Sequence, residues 1–184
     1  MVDQPTATLG APSPDRRRIA ELLRGQNPSD VSRLYADADS TRREFVGDEV
    51  HLRGLIEISN HCVQRCAYCG INCARQGVTR YRMTSGEILD SARLARDYGY
   101  GTVVLQAGED YGLSRGMLCS TVARIESELG LAVTLSLGER PREDLEAFRQ
   151  AGADRYLLRF ETSDEDLYRR IHPSIPGHER TRFE

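Results

Sequence analysis

Three features of this 184-residue sequence predict an α/β fold made of four consecutive strand–helix units, the opening part of a (β/α) barrel. Short apolar, β-branched runs alternate with amphipathic stretches of helical period, which implies a parallel sheet with helices packed outside it. Glycines at 99, 101, 130 and 152 stand between each helix and the next strand, where a left-handed cap is needed. The residues suited to chemistry follow the strands, and in a barrel the active site lies at the C-terminal strand ends. A doubly wound sheet fits the same alternation. However, no Gly-x-Gly-x-x-Gly follows the first strand, which lowers that option.

The elements read in order. Residues 1–15 carry Pro5, Pro12 and Pro14 among small polar residues, with little to bury, and are expected to be disordered. Asp15 can cap a helix through Ile19, Leu22 and Leu23 that ends near Gly25. Pro28 starts a second helix through Val31, Leu34 and Tyr35, and a third runs from Asp39 toward Phe45. This helical segment, residues 16–47, is expected to plug one end of the alternating region, residues 48–184. There the predicted strands are Leu52–Ile58, Thr102–Gln106, Leu131–Leu137 and Arg155–Arg159. The predicted helices are Ser85–Tyr98, Arg115–Leu129, Pro141–Gln150 and Asp164–Ile171.

Composition removes several classes of function. A net charge of -3 argues against a nucleic-acid or membrane-surface partner, which calls for a basic excess. No apolar run reaches the length of a membrane span, and Met1–Pro14 is too polar for a signal peptide, so the expectation is a cytoplasmic protein. All 25 basic residues are arginine. Without lysine there is no Schiff-base aldolase, no pyridoxal-phosphate anchor and no phosphate-loop lysine. Four of the 5 cysteines fall between Cys62 and Cys73, a clustering that points to metal rather than to a disulfide scaffold.

Cys62, Cys66 and Cys69 form a C-x3-C-x2-C run directly after the first strand. Three thiolates on a compact loop can bind three irons of a [4Fe–4S] cube and leave the fourth open. An open iron can chelate the amino and carboxylate groups of S-adenosylmethionine (SAM). An electron passed into the sulfonium then yields a 5′-deoxyadenosyl radical. Cys73 is either a fourth ligand that closes the site or a spare thiol. With Cys73 or His61 added, a four-ligand zinc site is also possible.

The C-x3-C-x-Tyr-C motif in this setting resembles the radical SAM superfamily. The likeness extends from about Gly47 to Arg180, through Arg80–Thr84, Val104–Asp110, Val133–Glu139 and Ala151–Thr162. These stretches resemble the [FeFe]-hydrogenase maturase HydE within the biotin synthase-like group, with biotin synthase and methylornithine synthase as the nearest relatives. The resemblance implies a radical SAM barrel, a [4Fe–4S] cluster on Cys62, Cys66 and Cys69, and SAM as cofactor. It implies that Tyr68 lies beside the adenine, that Gly108 and Glu109 meet the methionine amino group, and that Ser136 bonds the methionine moiety. Arg159 would hold a carboxylate, Glu161 the ribose hydroxyls and Arg180 the SAM carboxylate. A substrate that is a small molecule or an iron complex, a ferredoxin or flavodoxin as electron donor, and other hydrogenase maturases are the implied partners.

Other readings of the same residues stay open. Glu109–Asp110 can be a polar loop that caps the next helix, and Arg159 with Glu161 a rim ion pair. If the fourth strand continues, Arg159 and Glu161 point the same way. Arg53 and Arg155 begin strands at the opposite rim and read as structural, Cys119 as a small buried hydrophobe, and His172 as a cap or surface residue. The family barrel needs further βα units beyond Arg180, so the chain is expected to be a truncated barrel. A non-catalytic metal-binding half-domain is therefore a second functional reading, and a biotin synthase-like or methylornithine synthase-like enzyme a third.

Overall fold

A computed structural model describes residues 16–177. The start predicted to be disordered, the Asp15 cap, His178 and Arg180 lie outside the described residues. The chain divides into two compact units, one up to Val50 and one from His51.

The first unit contains α1 (Arg16–Arg24) and α2 (Pro28–Phe45). Asn27 caps α2 by accepting the Ser29 N–H at 3.0 Å, and Pro28 supplies a preset φ in its first turn. The two helices predicted over 28–45 are one. Asp39, expected to start a new helix, lies inside α2 and pairs with Arg42 at 2.8 Å and Arg43 at 3.2 Å. Ion pairs at these spacings support a continuous helix across a stretch of poor helix formers.

The second unit runs β1 (Gly54–Ser59), α3 (Ser85–Asp97), β2 (Thr102–Ala107), α4 (Arg115–Leu129), β3 (Ala132–Ser136), α5 (Arg142–Gln150), β4 (Arg155–Tyr156) and α6 (Glu165–Ile171). The strands pair in parallel in the order β1-β2-β3-β4. A sheet that never reverses its order is wound in one direction only, as in a barrel wall, and this removes the doubly wound option. Local signals set the helix starts. Thr84 and Glu87 form a reciprocal capping box on α3, and Ser114 and Asp164 cap α4 and α6. Gly99, Gly130 and Gly152 have the positive φ predicted for the helix–strand junctions, whereas Gly101 does not.

The two sheet faces differ. Ile56, Ile58, Val103, Leu105, Val133 and Leu135 alternate along β1–β3 toward the helices and are buried with Ile88, Leu89, Leu118, Val122, Ile125 and Phe148. Each such side chain contributes about 1.5–3 kcal/mol of hydrophobic stabilisation. Half-buried Cys119 packs against this core. The intervening residues point to the other face, where Glu57, Gln106 and Ser136 stand in register across three strands. No helix among the described residues is long and apolar enough to cross a membrane.

The fourth strand is shorter than predicted. Its ladder ends at Tyr156, so Leu157–Arg159 lies outside the regular strand. Among the described residues β4 is paired on one side, to β3, and only through Arg155 and Tyr156. The apolar pattern of Leu157 and Leu158 therefore lacks a ladder to join, although the Leu157 N–H still reaches the Leu135 carbonyl at 2.8 Å.

Candidate metal centre

β1 ends at Ser59, and the cysteine loop leaves from the C-terminal rim of the sheet. Backbone and side-chain bonds shape this loop. The Arg80 guanidinium donates to the Ile71 carbonyl at 2.7 Å and the Asn72 carbonyl at 2.9 Å, and also to that of Asn60. Buried Asn72 donates to the carbonyls of Cys66 at 3.2 Å and Cys69 at 2.8 Å. These bonds satisfy carbonyls that an irregular loop would otherwise leave without partners.

The β2 end presses against the loop. A Cβ on Gly108 would lie 2.3 Å from the His61 carbonyl oxygen and 2.8 Å from the Cys62 Cβ, so only glycine permits this approach. The Val63 N–H donates to the Glu109 carbonyl at 3.0 Å, a second tie between loop and strand end. Glu109 is 5% exposed. Its Oε1 accepts from the Gln64 amide at 2.6 Å and its Oε2 from the Glu139 N–H at 3.4 Å. Gly138, at φ 75°, leaves space for this carboxylate, since a Cβ there would lie 2.7 Å from it.

Cys62, Cys66 and Cys69 line one pocket with Tyr68, Gly108, Glu109, Ser136, Arg159 and Glu161. It holds about 770 Å³ of empty space, part of it open to solvent. Among the described residues, the structure thus brings together every site residue predicted from the sequence; Arg180 lies outside them. Neither Cys73 nor His61 belongs to the pocket wall, and Cys73 is exposed. Arg53 and Arg155 are exposed at the opposite strand ends, as predicted.

Arg159 and Glu161 reach the pocket by a different route from the one predicted. No regular strand carries them. Arg159 leans across the sheet toward the Gln106 side-chain oxygen at 3.5 Å. Glu161 has φ 65°, the one non-glycine residue with positive φ among the described residues. Backbone strain of this kind persists only where its surroundings impose it.

Asp110 does not cap the next helix. It is 3% exposed and takes a two-pronged bond from Arg82, Nε to Oδ2 at 2.7 Å and NH2 to Oδ1 at 2.9 Å. The Ser59 hydroxyl and the Gly112 N–H donate to it as well, at 2.6 and 2.9 Å. Burial pushes this carboxyl up, but Arg82, Ser59 and Gly112 together outweigh it and hold Asp110 below the usual carboxylate range. Burial pushes the Cys62 thiol up, and the nearby Glu109 and Cys66 add to it. Backbone N–H bonds offset part of that shift.

Three residues that hold the site together escaped the sequence reading: Gln64, Arg82 and His172. His172 is the cap expected at the end of α6, its N–H donating to the Tyr168 carbonyl at 2.9 Å, but it is not a surface residue. It is 7% exposed, lies against the Tyr168 ring and meets the Tyr68 hydroxyl at 2.9 Å. The spacing of Tyr168 and His172 is a helical i, i+4 signal, but nothing local connects either to Tyr68.

The donor set fits an iron–sulfur cluster. Among the described residues no three His, Cys, Asp or Glu side chains form a cage for one ion. Instead, three separate thiols border one open space, which suits a group that takes one thiolate per iron. The facing wall offers carboxylates, a hydroxyl and a guanidinium, partners for a zwitterionic and nucleoside ligand.

Comparison with known proteins gives the same reading. Residues 56–182 match the model of the radical SAM superfamily. Over 140 residues the chain is 49% identical to the [FeFe] hydrogenase maturase subunit HydE of Thermotoga maritima, covering 76% of this chain and 40% of that one. It is 32% identical over 175 residues to the biotin synthase of Pelobacter propionicus, covering 92% and 50%. The crystal structure of methylornithine synthase (PylB) superposes with a TM-score of 0.75 at 29% identity, covering 86% of this chain and 48% of that one. The chain therefore spans half or less of the length of these relatives.

Proposed function

Because the chain belongs to the radical SAM superfamily, we propose that it carries the cluster- and SAM-binding part of a radical SAM enzyme acting in [FeFe]-hydrogenase maturation. Members of this superfamily use a [4Fe–4S] cluster to cleave SAM reductively to methionine and a 5′-deoxyadenosyl radical.

One observation carries the proposal. The three loop thiols share a pocket with Glu109, Ser136, Arg159 and Glu161, which lie at or after the ends of β2, β3 and β4 on one rim. Cys62, Cys66 and Cys69 hold the cluster, one thiolate to each of three irons. Glu109, its carboxylate oriented by the Gln64 amide, accepts from the methionine ammonium. Ser136 bonds the methionine moiety, Arg159 takes a carboxylate, and Glu161 accepts from the ribose hydroxyls. Tyr68, 55% exposed on the pocket wall, offers its ring to the adenine. Arg180 is assigned to the SAM carboxylate from the sequence motif alone.

Likeness to a HydE at 49% identity favours hydrogenase maturation over biotin or methylornithine synthesis, where the relatives are more distant. The substrate is then an iron complex or a small molecule, and a one-electron carrier such as ferredoxin or flavodoxin supplies the reducing equivalent.

The test is anaerobic reconstitution followed by electron paramagnetic resonance. The reduced protein is expected to give a [4Fe–4S] signal that changes on addition of SAM, with 5′-deoxyadenosine released under reducing conditions. A cluster signal indifferent to SAM would remove the enzymatic reading and leave a metal-binding domain.

A further inference from the structure

Tyr68 does not hold its position alone. Its hydroxyl lies 2.9 Å from His172 Nε2, with the two rings edge to face at 5.6 Å between centroids. His172 is in turn fixed from behind. Its Nδ1 lies 3.0 Å from the Tyr168 carbonyl, and its ring lies 4.1 Å from that of Tyr168. A carbonyl oxygen only accepts, so in the neutral ring Nδ1 carries the proton. Nε2 then has a lone pair and accepts the Tyr68 O–H. The tautomer and the direction of both bonds follow from this one backbone contact.

A second bond ties the same two segments. The Ala67 N–H donates to the Ile171 carbonyl at 2.8 Å, so consecutive residues of the loop meet consecutive residues at the end of α6. The buried imidazole thus links a half-exposed tyrosine, next to the third loop cysteine, to a helix 104 residues further along the chain.

We propose that His172 is a positioning residue for the nucleoside half of the cofactor: it orients the Tyr68 ring as the platform on which the adenine rests. The role rests on the SAM-binding reading above and adds to it a residue that touches neither cofactor nor cluster. A tyrosine free to rotate about χ1 and χ2 must be ordered when a base stacks on it. One already held by His172 loses less conformational entropy on binding. Contacts to the methionine half come from other strand ends and do not pass through His172.

The test uses the full chain, reconstituted without oxygen, as wild type and as His172→Phe, His172→Gln, Tyr68→Phe and the double variant with Phe at both positions. Phenylalanine at 172 keeps a ring against Tyr168 but cannot accept a hydrogen bond. The Tyr168 carbonyl keeps its bond from the residue 172 N–H. Iron content is measured first, then calorimetric binding of SAM, of 5′-deoxyadenosine and of methionine. His172→Phe is expected to weaken SAM and 5′-deoxyadenosine roughly tenfold, the worth of about one hydrogen bond, with iron content and methionine binding unchanged. Tyr68→Phe should match it, the double variant should be no weaker than either, and His172→Gln, whose amide oxygen can accept, should recover most of the loss.

Equal SAM binding by wild type and Tyr68→Phe overturns the role, and because Tyr68 is half-exposed that variant decides even if His172→Phe fails to fold. Equal weakening of methionine and 5′-deoxyadenosine overturns it too, as general damage to the site. A wild type that loads iron and binds no SAM overturns the functional reading itself, and this role with it.

Discussion

The Gln64 side-chain amide donates to the buried carboxylate of Glu109 across 2.6 Å, joining the middle of the cysteine loop to the end of β2. Gln64 lies between Cys62 and Cys66 and is only 2% exposed. The group proposed to read the methionine ammonium is therefore oriented by the loop proposed to carry the cluster. Gln64→Leu would bury Glu109 with one oxygen deprived of this donor, at a cost of about 1–3 kcal/mol. The expected outcome is a melting temperature lowered by several degrees and methionine binding weakened at least as much as 5′-deoxyadenosine binding, by denaturation and calorimetry. Unchanged methionine affinity would mean that Glu109 is held in place without Gln64.

Gly108 tests the closeness of loop and strand. An alanine methyl would be driven into the His61 carbonyl and Cys62. Gly108→Ala should displace the start of the loop and cut iron incorporation severely while circular dichroism stays near wild type. Gly116, with open space around its Cβ position, is the control, and Gly116→Ala should leave iron content unchanged.

Cysteine substitutions separate the ligands from the bystander. Serine at 62, 66 or 69 should abolish the reduced cluster signal. Cys73→Ser should retain it, because that thiol is exposed and away from the pocket wall, and the bond from the Cys73 N–H to the Gln64 carbonyl needs no sulfur. Loss of the signal in Cys73→Ser would restore the fourth-ligand reading and with it a closed site.

Asp110 sets an acid limit on stability. Its carboxyl is held below the ordinary value in the fold by Arg82, Ser59 and Gly112, against the opposing effect of burial. A group with a depressed folded pKa contributes stability that is fully present above its unfolded pKa of about 3.9 and is lost as pH falls through the folded value. Wild-type stability should therefore decline below about pH 4. Asp110→Asn should be less stable at pH 7 by about 1–3 kcal/mol and should show a shallower acid decline. Denaturant melts at pH 7 and across the acid range check both, and an unaltered acid limb would assign that limit to other carboxylates.

Much of this architecture was legible in the one-dimensional pattern because its causes are local. Period-two and period-3.6 hydrophobicity, junction glycines such as Gly99 and Gly130, and the spacing of three cysteines act within a few residues of chain. They determined the order of the βα units, the cysteine loop and the strand ends that surround the pocket. Local cues misled where a neighbour decides the outcome. Asp39 looks like a helix start until its arginine partners are placed, and Leu157–Arg159 looks like strand although the ladder ends at Tyr156.

Tertiary structure alone decided the winding of the sheet and the partners of the polar residues. The sequential order β1-β2-β3-β4 is a matter of which strands pair, and the amphipathic pattern is the same in either α/β arrangement. Gln64 with Glu109, Arg82 with Asp110 and His172 with Tyr68 are separated by 45, 28 and 104 residues. A hydrogen bond needs its two groups within about 3 Å and well aligned. For residues that far apart, only the parallel register and the packing of α6 against the loop bring donor to acceptor.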